Sequence, residues 1–321
     1  MALPPILRDR LRLPVVAAPL FIVSSPELVI AQCKAGVVGS FPALNARPAS
    51  QLDEWLHRIR EALAAHDRDN PESPAAPFAV NQIVYKTNTR LEHDLELTVK
   101  HRVPIVISSL GARPEVNDAV HSYGGITLHD VISDRYARKA VEKGADGVIA
   151  VAAGAGGHAG TISPFALVQE IRAWFEGPLL LSGAIATGRA VLAAEAMGAD
   201  LAYVGSAFIA THEANAPDAY KQMLTTSGAE DVVYSDLFTG VHGNYLRGSI
   251  KAAGLDPEAL PALQGKPMDF GSGGGSAAKA WRDIWGSGQG IAAIREVVGA
   301  GELVARLAAE YAEARAALCR T

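Results

Sequence analysis

The chain has 321 residues, 49% of them hydrophobic and 20% charged, with a formal net charge of −5. That is a globular composition with length for a large core, and the lack of a dense basic run argues against a nucleic-acid partner. No apolar run reaches the ~20 residues that cross a bilayer, and the start MALPPILRDRLRLP lacks the unbroken apolar segment of a signal peptide.

Cys33 and Cys319 show no metal-type spacing, and Cys33 lies in an apolar helical stretch, so a soluble cytoplasmic protein with a buried thiol is expected. Short apolar runs then recur, each followed by a polar loop and a helix-length segment. Pro14 to Ala18 reads as the first strand, and Pro26 to Ala35 as a helix with Ser25 as cap. Val37 to Phe41 is the second strand, followed by a helix from Ala49 to His66 with apolar spacing at Leu52, Trp55, Leu56, Ile59 and Leu63. Strands at Phe78–Asn81, Pro104–Ser108 and Gly125–Leu128 alternate with helices at Asn88–His101, Arg113–Tyr123 and Ser133–Lys143. The sixth strand, Gly147 to Val151, runs into the glycine-rich loop AAGAGGHAG and a helix from Ser163 to Phe175. Leu179–Leu181, helix Arg189–Met197 and strand Leu201–Val204 complete eight repeats.

Apolar rather than alternating strands mark a parallel sheet covered on both faces, and eight repeats predict a TIM (β/α)8 barrel. A doubly wound open sheet is the competing fold, but no GxGxxG turn stands near the start. Residues 1–226 with 286–321 are assigned to the barrel. Residues 227–285, rich in glycine and aromatic residues, are assigned to a C-terminal cap over its mouth. Within that cap Phe238, His242, Tyr245 and Trp281 are candidate pocket walls. Amphipathic helices are expected at Gln289–Val298 and Glu302–Leu318.

Barrel sites form at the C-terminal ends of the strands, with phosphates commonly after strands seven and eight. Here those loops hold Ser182-Gly183-Ala184 and Gly205-Ser206, which expose backbone amides near helix starts. Tight βα turns would need the same glycines. In the sixth loop, glycines surround His158, the one ionisable group there; a cofactor bed and a plain flexible loop both fit. Asn81 ends the third strand, where it could meet a heterocycle edge or cap a turn. His129 and His242 are weaker candidates. Neither a metal-ligand spacing nor a GxSxG nucleophile is present.

Four motifs together resemble the nitronate monooxygenases, FMN-dependent barrel enzymes. They are Ala18-Pro19-Leu20 after strand one, GAGGHAG after strand six, SGAIATG after strand seven and GSAF after strand eight. The stretch IWGSGQG, with Gly288-Gln289-Gly290, looks like a further family motif. The chain departs from the common pattern at Leu20, where methionine is usual, and at Gly154, where an acidic residue often stands. The resemblance implies FMN with backbone of Ala18, Pro19 and Leu20 along the isoalloxazine and Asn81 bonded to it. It implies Gly156 and Gly157 beneath the ring, Gly183, Ala184, Gly205 and Ser206 on the phosphate, Gln289 near the flavin pocket, and His158 facing the substrate. The implied reaction is oxidation of an alkyl nitronate, of the propionate 3-nitronate type, by O2 to a carbonyl compound and nitrite. An NAD(P)H-dependent FMN reductase of an enoyl thioester or quinone shares these loops. A ligand-binding sensor and a phosphosugar enzyme are more distant readings. Expected partners are a small-molecule substrate and O2, and a homodimer is left open.

Overall fold

The eight apolar runs become the parallel strands of one sheet in the computed structural model, which describes residues 3–261 and 282–319. They are β1 (Val15–Ala17), β2 (Gly39–Pro42), β3 (Phe78–Ile83), β4 (Ile105–Ser109), β5 (Ile126–Val131), β6 (Gly147–Val151), then β8 (Leu179–Ser182) and β9 (Leu201–Val204). A two-residue strand, β7 (Gly157–His158), interrupts the series. The sheet order is β1-β9-β8-β6-β5-β4-β3-β2. Its edges meet through the parallel Val16–Val38 bridge, where Ala17 N–H donates to Val38 O at 2.8 Å. The sheet therefore closes as a barrel.

Alternation along each strand divides its side chains between two environments. Ala79, Ile105, Ile107, Leu128, Ile149, Leu180 and Leu201 fill the interior, while Val80, Val106, Val148, Leu179 and Ala202 pack outward against helices. Both faces are apolar, which is why the strands read as unbroken hydrophobic runs. The short helix α1 (Pro5–Arg8) closes the bottom, where Leu7 joins the interior cluster.

The outer layer comprises α2 (Pro26–Lys34), α3 (Gln51–Asp69), α4 (Leu91–Lys100), α5 (Pro114–His121), α6 (Asp134–Glu142), α7 (Pro164–Arg172) and α8 (Gly188–Met197). After β9 come α9 (Ser206–Ile209), α10 (Asp218–Thr226), strands β10 (Val232–Ser235) and β11 (Gly243–Leu246), α11 (Arg247–Ala252) and the closing helix α12 (Ala300–Leu318). Local chemistry sets several ends. Thr187 Oγ1 accepts from Ala190 N–H to cap α8, and Gly198 at φ +110° ends it in the left-handed conformation. Ser25 holds the cap position of α2, but its hydroxyl makes no capping bond. Cys33 on α2 is fully buried, and burial pushes its thiol up to about 12, as expected of an inert thiol.

One expected helix does not form. Gln289–Val298 is only a 3-10 turn at Gln289–Ala293, after which the chain extends and Val298 bridges Thr211. Buried Ile291, Ile294 and Val298 mimic a helical apolar period. The backbone at 288–290 is instead tied to the barrel loops, with Gly288 N–H on Ser206 Oγ and Gln289 N–H on Gly154 O. No helix among the described residues is long and apolar enough to cross a membrane.

Candidate active site

The C-terminal ends of the strands surround a cavity of about 1180 Å³. Its wall includes Ala18, Pro19, Leu20, Asn81, Gly156, Gly157, His158, Gly183, Ala184, Gly205 and Ser206, so eleven of the twelve residues expected there do converge. The twelfth, Gln289, does not: its side chain is exposed outside the lining, and its neighbours Gly288 and Gly290 reach the cavity instead. Gln289 acts through its backbone, as a staple on Gly154.

The sixth loop is not a flexible tip. Gly157 and His158 form β7, which pairs antiparallel with β11 through Gly157–Asn244 and His158–Gly243. Asn244 Nδ2 donates to Ala155 O at 2.6 Å, and Ala159 N–H donates to His242 O. His158 Nε2 lies 3.0 Å from Thr239 Oγ1, whose hydroxyl also lies 3.0 Å from Val241 O. A carbonyl only accepts, so Thr239 donates there and receives from Nε2–H. Burial pulls His158 down to about 4, so the imidazole is neutral at pH 7.

The glycines serve the protein's own backbone as much as a ligand. A Cβ on Gly156 would stand 2.7 Å from Gly288 N and 2.9 Å from Ser287 C, so glycine here admits the close approach of the 287–288 backbone. Gly154, at φ +84°, accepts from both Ala184 N–H (3.1 Å) and Gln289 N–H (2.9 Å). The Ala184 amide assigned to phosphate is thus already engaged, in a residue held at φ +54°. Gly205 is different: its Cβ would meet only Leu20 at 3.5 Å and Ala18 at 3.6 Å, ordinary contacts that leave the loop open toward the cavity.

Sequence reasoning missed a polar network at the top of the barrel interior. Asn81, Ser109 and Asp130 continue the inward alternation of Ala79, Ile107 and Leu128. Asn81 Nδ2 donates to Ile107 O at 3.0 Å and to Ser109 Oγ at 2.7 Å, and Ser109 Oγ donates to Asp130 Oδ2 at 2.5 Å. Asp130 is the one carboxylate among the described lining residues, and burial pushes it up to about 6 against the lowering bonds from Ser109 and Leu110 N–H. An aspartate at the C-terminal end of a barrel strand was the available signal.

His129, one residue earlier, reaches the rim but turns its Nε2 to Asn117 Oδ1 at 3.0 Å, and burial brings it down to about 4. Its unfolded-state value is higher, so the unfolded chain binds more protons and stability falls as pH drops from 6.5 toward 4. Asp130, raised on folding, acts in the opposite sense between about 6 and 3.8. Comparing His129→Leu with the unsubstituted protein isolates the first effect. On going from pH 7 to pH 5, the variant should lose on the order of 2 kcal/mol less stability by urea unfolding; equal losses would contradict a buried neutral imidazole.

Of the residues expected to wall the pocket from a cap, Tyr245 is buried and packs edge-on against Phe238 with centroids 4.9 Å apart, and His242 stacks on Tyr234. None of these reaches the cavity, whereas Thr239 and Val241 do; Trp281 lies outside the described residues.

Comparison with known proteins agrees with this geometry. The sequence profile of the family described as nitronate monooxygenase matches residues 7–310. Nitronate monooxygenase of Paraburkholderia phytofirmans is 27% identical over 92% of each chain. The structure of nitroalkane oxidase from Streptomyces ansochromogenes superposes with a TM-score of 0.79 at 28% identity, covering 98% of this chain and 99% of that one. FabK from Thermotoga maritima shares the fold, with a TM-score of 0.76 at 22% identity over 96% of this chain and 95% of its own. The barrel, the glycine-rich loop with its histidine and the full-length profile match make this chain a member of the nitronate monooxygenase family of oxidoreductases.

Proposed function

We propose that this protein oxidises alkyl nitronates with FMN and O2, giving a carbonyl compound and nitrite. The observation that carries this reading is His158, a neutral imidazole on the wall of a cavity built from the loops of a flavin-type barrel. The residues fit FMN. About 1180 Å³ exceeds the usual single-ligand pocket of ~300–1,000 Å³, which leaves room for a substrate beside a cofactor. Gly205 leaves a cradle that a Cβ would fill, with Gly183 and Ser206 beside it for the phosphate. Ala18 to Leu20 offer backbone beside Gly205, and Asn81 offers a side-chain amide.

The flavin, when bound, supplies the electron-accepting chemistry and the reaction with oxygen. The protein's part is to bind, orient and manage one proton. Thr239 Oγ1 holds the His158 ring through Nε2. Starting neutral, the imidazole can take the α-proton of a nitroalkane, and the resulting imidazolium can hold the nitronate charge. Apolar Val131 and Val151, both buried, line the same cavity.

Two outcomes check this. With propionate 3-nitronate under air, the purified protein should release nitrite in proportion to substrate consumed; no nitrite would refute the reading. Gly205→Ala should weaken FMN binding at least tenfold without lowering the melting temperature, since the barrel has room for the methyl. Unchanged affinity would remove Gly205 from the phosphate site.

A further inference from the structure

Asn81 carries an amide whose orientation the protein has already determined. Ile107 O can only accept, so the Asn81 atom 3.0 Å from it must be nitrogen. The second amide hydrogen goes to Ser109 Oγ. Ser109 can receive it because its own hydrogen is given to Asp130, which also accepts from Leu110 N–H. Both Asn81 N–H groups are therefore used, and Oδ1 has no partner among the described residues. Asn81 is only 4% exposed and lines the cavity.

From this we infer that Ser109 and Asp130 are positioning residues, which lock Asn81 with its carbonyl oxygen toward the cavity as an acceptor for a ring N–H of the bound planar heterocycle. This rests on the FMN reading above, where the flavin pyrimidine edge offers one such donor at N3. The one-way order of the chain, Asn81 to Ser109 to Asp130, decides the specificity. Without an acceptor at 109, one amide hydrogen loses its partner and Ile107 O alone holds the amide's orientation. A wrongly turned amide would set N–H against N–H, and such a mismatch between buried donors is costly. Asp130 has a second duty, since its bond to Leu110 N–H holds a residue at φ +63°, so substitutions there also disturb the β4–α5 loop.

The test uses flavin-stripped protein and reads dissociation constants by fluorescence for FMN and for N3-methyl-FMN, which lacks the donor. The unsubstituted protein should prefer FMN at least tenfold. Ser109→Ala should bind FMN several-fold more weakly and lose most of that preference, while Ser109→Thr, which keeps the hydroxyl, should restore both. Asp130→Ala should behave like Ser109→Ala, with added loss of thermal stability from the loop. If Ser109→Ala keeps the full preference, or the unsubstituted protein shows none, the inference fails while the FMN reading stands. If the unsubstituted protein binds no FMN, both fail together.

Discussion

His158→Asn should retain bound FMN and lose roughly 10²- to 10⁴-fold in turnover of a neutral nitroalkane, the range for removal of a positioned acid–base group. Asparagine keeps a polar side chain near Thr239 but has no basic nitrogen. The β7–β11 pairing that carries the loop is made by backbone, so the loop itself should survive. With a preformed nitronate the loss should be smaller, because no proton has to be removed. Steady-state rates on both substrates, together with the flavin content of the purified variant, decide the matter. Full activity on the neutral nitroalkane would take His158 out of the mechanism.

Gly188→Ala should produce the largest loss of stability. A Cβ there would stand 2.0 Å from Leu307 O and 2.3 Å from Tyr311 N, both backbone atoms of α12. No rotamer relieves such contacts, so α8 and α12 must separate. Gly188 N–H also donates to the Glu310 carboxylate at 2.7 Å, a bond that separation would lengthen. The cost should be on the order of 3 kcal/mol or more, at the upper end for overpacking. Urea unfolding of both proteins measures it. A variant as stable as its parent would show that the two helices are not held at backbone contact.

The barrel was legible because eight apolar runs with helical spacers leave little choice of fold, and the turn glycines of the seventh and eighth repeats stand where phosphate sites usually form. The site's inner organisation was not. Because these strands are apolar on both faces, sequence does not show which residues face inward: Ser109 could be read only as one of several polar residues at strand ends, and its link to Asp130 follows from the register that pairs the strands. The purpose of Gly156 depends on residues 287–288, which lie more than 130 positions away. The pairing of Gly157–His158 with Gly243–Asn244 is equally non-local. Gln289 stands beside the lining residue Gly154 and staples it through its backbone, and the apolar period of residues 291–298 belongs to an extended segment tied to the barrel.

The most direct test of nitronate oxidation is an anaerobic absorbance titration of the purified protein loaded with FMN, with propionate 3-nitronate in one cuvette and NADH in another. The account predicts that the nitronate changes the flavin spectrum and that NADH leaves it unchanged. Bleaching by NADH with no response to the nitronate would contradict it and make the protein a pyridine-nucleotide-dependent reductase.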